Sequence, residues 1–279
     1  TFKKYLGCKV LLSDLRTDML QRAVNEMSTS GHLAAVTIYN HFQRFHTMMG
    51  HAVELGYVVK NPCQGVIITK PELTEKVVWD EQQVKHFNSF LKTCLLRYTA
   101  LFMLLLKTGA RIGEILALRW TDIDFVAGTI SITRTATAKG YNPPKSKYGT
   151  RKVPLDQGTI KMLSKHRTQQ GKEKLLHGEG YNPENLVFCK RRGVRLPYRE
   201  AREAYVCLVS GSGLPYLPMH RLRHLHATML LKDGNHSIKA VAERLGDSPA
   251  TIEKTYAHVL TGMREAIVQT IEQMYEERP

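Results

Sequence analysis

The sequence predicts a mainly α-helical protein with one small antiparallel β-sheet, built as an all-α N-terminal domain followed by an α+β domain. Three observations predict it. Apolar residues recur at helical spacings through the first part of the chain, a proline-bearing stretch without periodicity follows, and one later region alternates apolar and polar residues as strands do. A length of 279 residues accommodates two ordinary domains, and 43% hydrophobic with 23% charged residues is the balance of a globular chain.

Each element follows in order. Leu15, Met19 and Val24 mark a first amphipathic helix, and Gly31 breaks it from a second, on which Ile38, Phe42, Phe45, Met49 and Ala52 form an apolar stripe about five turns long. Asn61-Pro62 stops the helical run, so residues 1–68 are read as the helical domain. Residues 69–78, with Pro71, serve as the linker, and 79–279 form the second domain. There Asp80 is placed to cap a helix reaching about residue 92. A buried helix at 96–108 and another from about 111 to 119 come next. IDFVAGTISITRT reads as strand, turn and strand around Ala127-Gly128, and KSKYGTRKVPL (145–155) supplies a third strand. From about residue 197 the chain is mostly helical. It ends in an amphipathic segment near 262–276 carrying Met263, Ile267, Ile271 and Met274.

Charge narrows the partners. Forty Lys+Arg against 25 Asp+Glu leave a formal charge of +15, which favours a polyanion, nucleic acid first. Five cysteines, odd in number and without a C-x-x-C pair, argue against a disulfide framework or a thiolate zinc site and suit a reducing cytoplasm. The longest apolar run, LFMLLL at 101–106, is too short to span a bilayer. No signal peptide is visible, and because the chain opens at Thr1 without methionine, a trimmed N-terminal segment is expected.

Four segments, and a basic stretch similar to one of them, hold residue patterns with chemical potential. In TGARIGEILALRW (108–120), Gly109 lets the chain turn and sets Arg111 at the start of a helix, with Glu114 one turn along. A cation at that end is electrostatically misplaced, which points to binding an anion together with the free N–H groups. In MHRLRHLHATMLL (219–231), Leu222, Leu225, Met229 and Leu230 make the docking face, while His220 and Arg223 share another face and can hold a phosphate between them. His224 and His226 fall elsewhere and are read as structural. TAKGYNPPKSKYGTRKVPL (137–155) carries Lys139, Lys145, Lys147, Arg151 and Lys152 without an acid, either a solvated basic loop or a hairpin that delivers a lysine to a leaving oxygen. CKRRGVRLPYREAR (189–202) adds Lys190, Arg191 and Arg192 as backbone-binding candidates. Last, VAERLGDSPATIEKTYAHV fits a helix-turn-helix, with Ala242 packed, Gly246 in the turn and Ile252 buried, or else a helix that aims the Tyr256 phenol at a target.

Jointly and in this order, these segments resemble the tyrosine recombinase (phage integrase) family over essentially the whole chain. Residues 1–68 resemble its core-binding domain, and the remainder its catalytic domain. The resemblance implies a C-shaped clamp on duplex DNA and strand cleavage through a 3′-phosphotyrosine link. It implies Tyr256 as nucleophile, His220 as the candidate base, and Arg111 and Arg223 as clamps on the nonbridging oxygens. Lys147, with Lys145 as runner-up, would protonate the leaving oxygen, and Glu114 would orient an arginine. Arg44, Lys139, Lys145, Arg151, Lys152, Lys190, Arg191 and Arg192 are expected to contact DNA. Neither metal nor other cofactor nor ATP is expected. The implied partners are recombination-site DNA and three further copies of the chain on it, weakly associated otherwise, with a possible directionality factor and no membrane, in the cytoplasm at the nucleoid. The basic arm-like module that many members carry is absent from these residues.

One position departs from the family pattern. Asp247 stands where His or Trp is usual, and an ionised carboxylate only accepts hydrogen bonds and repels phosphate. Asp247 points away to orient a neighbour, a water bridges, or the site is weakened; the first is expected. Two rivals remain at this point, a type IB topoisomerase-like enzyme and a non-catalytic helix-turn-helix regulator.

Overall fold

Helix formation in the first part of the chain follows the apolar spacing, but with a shifted register. The computed structural model describes residues 2–7, 10–71, 78–144, 146 and 148–257. It divides the chain into two units, Thr1–Lys76 and Val77–Pro279. In the first unit a short α1 (Phe2–Leu6) precedes α2 (Thr17–Thr29) and α3 (Ala35–Glu54). Helix α2 buries Leu20, Ala23, Val24 and Met27. Leu15, expected on this helix, lies before it, because the run Leu20-Ala23-Val24-Met27 keeps 3.6-residue periodicity and a run starting at Leu15 does not. These side chains meet Ile38, Phe42, Met49 and Ala52 of α3, with Phe45 partly buried beside them. Helix α3 ends at Glu54, well before Asn61-Pro62. Asn61 instead pins the following loop: its amide donates to the His46 carbonyl at 3.1 Å and its Oδ1 accepts from the Cys63 N–H at 2.9 Å.

The second unit is organised around α5 (Leu96–Thr108), on which six consecutive residues from Ala100 to Leu105 are buried. A helix apolar on every face must be enclosed. Helices α4 (Glu81–Leu91), α7 (Gln157–His177) and α9 (Arg221–Lys232) pack on it. Asp80 caps α4 with a reciprocal bond pair: its Oδ1 accepts from the Gln83 N–H and the Gln83 side chain accepts from the Asp80 N–H. Helix α6 (Ile112–Leu116) is shorter than the sequence suggested. After it the chain peels away, and Leu118 and Trp120 exchange backbone bonds with the 185–187 segment.

Strands β1 (Ile123–Asp124) and β2 (Thr129–Ile132) form the expected hairpin across Gly128. A small second hairpin follows, β3 (Thr135–Thr137) with β4 (Gly140–Asn142), and then β5 (Arg151–Pro154). The antiparallel order β1-β2-β5 aligns Ile130 with both Ile123 and Val153, all buried, so the sheet's apolar face closes the core.

Helix α7 escaped the sequence reading because its buried face holds more polar residues than apolar ones: Thr159, His166 and Gln170 against Ile160 and Leu163. Hydrogen bonds make that burial possible. Gln170 accepts from the Trp120 indole at 2.9 Å and donates to the Val187 carbonyl, and His166 Nε2 donates to the same carbonyl at 2.8 Å. After α8 (Tyr198–Gly211), α9 and α10 (Ile238–Leu245) lead to a last helical stretch over 249–257. Leu222 and Leu225 of α9 join the main core. Ala227 and Leu231 join a separate small cluster with Val241, Ala242, Leu245, Ile252 and Tyr256. Met229, expected on the docking face, is exposed. The amphipathic segment near 262–276 lies outside the described residues.

The buried His166 makes stability depend on pH. Its Nδ1 has no hydrogen-bond partner among the described residues, and burial first, with Arg97 second, pushes the imidazole down to about 4. The unfolded chain takes up a proton near 6.5 that the folded chain refuses until about 4, so stability falls as pH drops through that window. Thermal melts from pH 7.5 to 4 should show this loss, on the order of 3 kcal/mol for this group, and His166→Gln should make the pH dependence shallower. An unchanged slope would refute the assignment.

Candidate active site

Gly109 ends α5 with φ +63° in the left-handed region, which turns the chain sharply and makes Arg111 the N-cap of α6. A Cβ on Gly109 would lie 2.6 Å from Leu245 and 2.7 Å from His226, so the turn also lets α9 and α10 approach. The Arg111 side chain therefore leaves the start of a helix, as the sequence suggested. Glu114 accepts from the Arg111 backbone N–H at 3.0 Å and from the Arg111 guanidinium at 3.1 Å. Its other reach is to Arg151 Nη2 at 2.9 Å. Burial alone would raise the Glu114 carboxyl, but the bond and charge from Arg151, with Arg111 behind them, hold it below the usual carboxylate range.

Arg151 was expected on a DNA-facing loop. Its side chain is instead only 6% exposed, spent on Glu114 and on the carbonyls of Arg244 and Gly149. Gly246, at φ +74°, makes this possible: a Cβ there would lie 2.5 Å from Arg151 Nη1. Arg244 in turn ties the end of α10 to three elements, donating to His226 Nε2 at 3.1 Å and to the carbonyls of Lys107 and Pro154. His226 is thus structural, and burial with the Arg244 charge pushes it down to about 4.

The turn after α10 carries Asp247 into the space between two arginines. Oδ1 accepts from Arg111 Nη2 at 2.7 Å and Oδ2 from Arg223 Nη2 at 2.5 Å. Asp247 does orient its neighbours, but it does not point away from them. Arg223 also donates to the Gly109 carbonyl at 2.9 Å, and burial, then the charge of Arg111, lower its pKa. Burial would raise Asp247, yet Arg223 and Arg111 hold it below the carboxylate range. Arg111, Arg151 and Arg223 face two carboxylates, Glu114 and Asp247, and the cluster keeps one surplus positive charge. The Arg111 side chain is 48% exposed and Arg223 12%, so the surplus opens to solvent on the Arg111 side.

Tyr256 lies in the small apolar cluster, 4% exposed, with Ala242 and Ile252 buried as a helix-turn-helix would bury them. Its Oη is 2.9 Å from Nδ1 of His224, the residue next to Arg223 on α9. The two rings are tilted at 54°, so the contact is made through nitrogen and oxygen rather than by stacking. Burial pushes the phenol up to about 12, with Arg223 pulling down and Asp247 pushing up. His220, nominated as base, is exposed at the N-cap of α9, and the phenol is held by a different histidine from the same helix.

The other expected residues separate by location. Lys139, Lys152, Arg191 and Arg192 are exposed on the second unit, and Arg44 is exposed on the first. Lys190 is paired with Glu200. Lys145 and Lys147 lie outside the described residues. Arg151, Arg244 and His224 are site residues that sequence reasoning assigned elsewhere or missed. Gly246 was the available signal, since a left-handed glycine beside Arg244 marks a close backbone approach.

Comparison with known proteins adds the lineage. A profile of the phage integrase family matches residues 78–263, and one of the phage integrase SAM-like domain matches residues 1–70. A XerC-like tyrosine recombinase from Caldanaerobacter subterraneus subsp. tengcongensis is 30% identical, over 95% of this chain and 72% of that protein. The ICEBs1 integrase of Bacillus subtilis is 24% identical over 94% and 70%. Among solved structures, the Tn1549 transposon integrase in complex with transposon right-end DNA superimposes with a TM-score of 0.79 at 20% identity, covering 96% of this chain and 90% of that one. A lambda integrase dimer bound to a COC′ core site gives 0.65 at 17%, covering 88% and 65%. At these identities the two structural likenesses concern the fold.

Glu114 is the acid on which Arg151 depends. Glu114→Ala leaves that guanidinium, 6% exposed, without a counter-charge. The expected loss is about 3 kcal/mol or more in denaturant unfolding, against a smaller loss for Glu114→Gln, which keeps an acceptor oxygen.

Proposed function

This chain belongs to the phage integrase family, and on that premise we propose that it is a site-specific DNA recombinase acting through Tyr256 in the integration and excision of a mobile element. One observation supports this above the others. Consecutive residues of α9, Arg223 and His224, hold an anion shared with Arg111 and the phenol of Tyr256, so one helical turn aligns an anion clamp with a nucleophile.

A phosphodiester supplies the negative charge that the cluster lacks. Arg111 and Arg223 bind its nonbridging oxygens with donors beyond those given to Asp247 and Glu114, and stabilise the charge that builds there in the transition state. His220, one turn before Arg223 and exposed, donates to the same phosphate. Tyr256 Oη bonds to phosphorus, the bond to the 5′ oxygen breaks, and a hairpin lysine, Lys147 with Lys145 as alternate, protonates that oxygen. The phosphotyrosyl ester conserves the bond energy, so religation to a second strand requires no ATP, and the arginines perform the electrostatic work without a metal in this scheme. Duplex DNA bearing recombination sites is the partner, with four protomers joining two duplexes and exposed Lys139, Lys152, Arg191 and Arg192 on the backbone. Asp247 acts as a spacer that keeps the two guanidiniums parallel until phosphate competes for them.

Covalent trapping on nicked suicide duplexes tests the scheme. Wild type should give an SDS-resistant DNA adduct mapped to Tyr256 by mass spectrometry, and Tyr256→Phe should give none while still binding DNA. Sequence-selective binding by both proteins with no adduct from either would remove the enzymatic reading. Arg223→Ala should slow single-turnover cleavage by about 10²–10³-fold. For Asp247→Asn, lost alignment and relieved repulsion of phosphate oppose each other, and cleavage should change by no more than about tenfold. A thousandfold loss would give Asp247 a direct part in the transition state.

A further inference from the structure

We propose that His224 is the general base of the cleavage step, taking the Tyr256 proton on Nδ1; the assignment rests on the recombinase reading above. The contact is 2.9 Å between Nδ1 and Oη, a hydrogen-bond distance to the reacting atom itself. Burial at 4% exposure keeps the resting phenol protonated, so Oη–H donates and Nδ1 accepts, which places the imidazole in the tautomer with hydrogen on Nε2. His224 is exposed, which gives a proton taken from the phenol access to solvent.

Among the described residues, the following charged and titratable groups surround the contact. Arg223 on α9 favours ionisation of the phenol, and Asp247 after α10 opposes it. His220 precedes His224 by one turn on α9, and the buried His226 is committed to Arg244. On Tyr256's own helical stretch Glu253 and Lys254 are exposed. As Oη forms its bond to phosphorus, its proton passes to Nδ1 of His224 while the bond from phosphorus to the 5′ oxygen breaks. That oxygen takes its proton from a separate acid. In religation the incoming 5′-hydroxyl gives its proton back to the conjugate base of that acid as it attacks phosphorus, the bond from phosphorus to Oη breaks, and Oη takes a proton from the His224 imidazolium.

The test uses the full chain in single-turnover cleavage of a suicide duplex between pH 5 and 9. Wild type should lose rate on the acid side, where a protonated imidazole no longer accepts. His224→Asn keeps an acceptor near the Nδ1 position but cannot store a proton. It should bind the duplex within about threefold of wild type, cleave about 10²–10⁴-fold more slowly, and lack the acid limb. A 5′-bridging phosphorothioate, whose sulfur departs without protonation, should not rescue it. Cleavage by His224→Asn within about threefold of wild type, a retained acid limb, or rescue by the phosphorothioate would each overturn the proposal. Should His224→Asn fold poorly, His224→Ala supplied with free imidazole serves instead: recovery of cleavage supports the base, and none at saturating imidazole opposes it. Failure of wild type itself to form a Tyr256 adduct would overturn the recombinase reading first, and is distinguishable from a defect confined to the His224 variants. His220→Asn run in parallel should retain the acid limb.

Discussion

The carboxylate of Asp247 held between the guanidiniums of Arg111 and Arg223 is the interaction on which the second unit's architecture converges. It joins three segments that are distant in sequence: the start of α6, the first turn of α9 and the turn after α10. Arg223, only 12% exposed, relies on this carboxylate for its counter-charge, whereas the more exposed Arg111 also has Glu114. Glu114 repeats the arrangement between Arg111 and Arg151, so that basic and acidic side chains alternate along the series Arg223, Asp247, Arg111, Glu114 and Arg151. The alternation ends one negative charge short, three arginines facing two carboxylates.

Tyr256 depends on the same turn for a different reason. Tyr256 is not held by the charge cluster but by the small apolar group on which α9, α10 and the last helical stretch meet. Gly246 connects the two systems. Its left-handed conformation lets the chain reverse between α10 and the Tyr256 helix, and its missing side chain lets Arg151 pass against the backbone. One residue therefore sets the position of Asp247 at its side and, through the helix that follows, of Tyr256. Apolar docking and ion pairing therefore meet at this one turn. The resting phenol is buried, which keeps it protonated.

Much of this was legible in the amino-acid order. The buried α5, the cap at Asp80, the β1–β2 turn at Gly128 and the stripe on α3 all follow from local periodicity or from a single residue's backbone preference. Helix α7 did not, because periodicity detects apolar faces and this face is mostly polar, satisfied by partners at Trp120 and Val187. The length of α6 was misjudged for a related reason: the 118–120 segment is drawn out of the helix by backbone pairing with residues 185–187. Within the site, Arg111, Arg223, Glu114 and Tyr256 carry readable signals of position. The burial of Arg151 and the attachment of the phenol to His224 do not, since each depends on what lies across the fold.

By itself, then, the sequence determined the secondary structure where a pattern repeats, the surplus of positive charge, and which side chains with phosphoryl-transfer chemistry are present and in what order. It did so because propensity, periodicity and charge are properties of neighbours along the chain. Tertiary structure alone decided which charges pair, which arginine is spent inside, and which of three histidines on α9 meets the phenol. Those choices depend on distances between segments more than a hundred residues apart, as between Arg111 and Asp247, and on the rotation of α9 against its neighbours, which places His224 beside the phenol and His226 against Arg244.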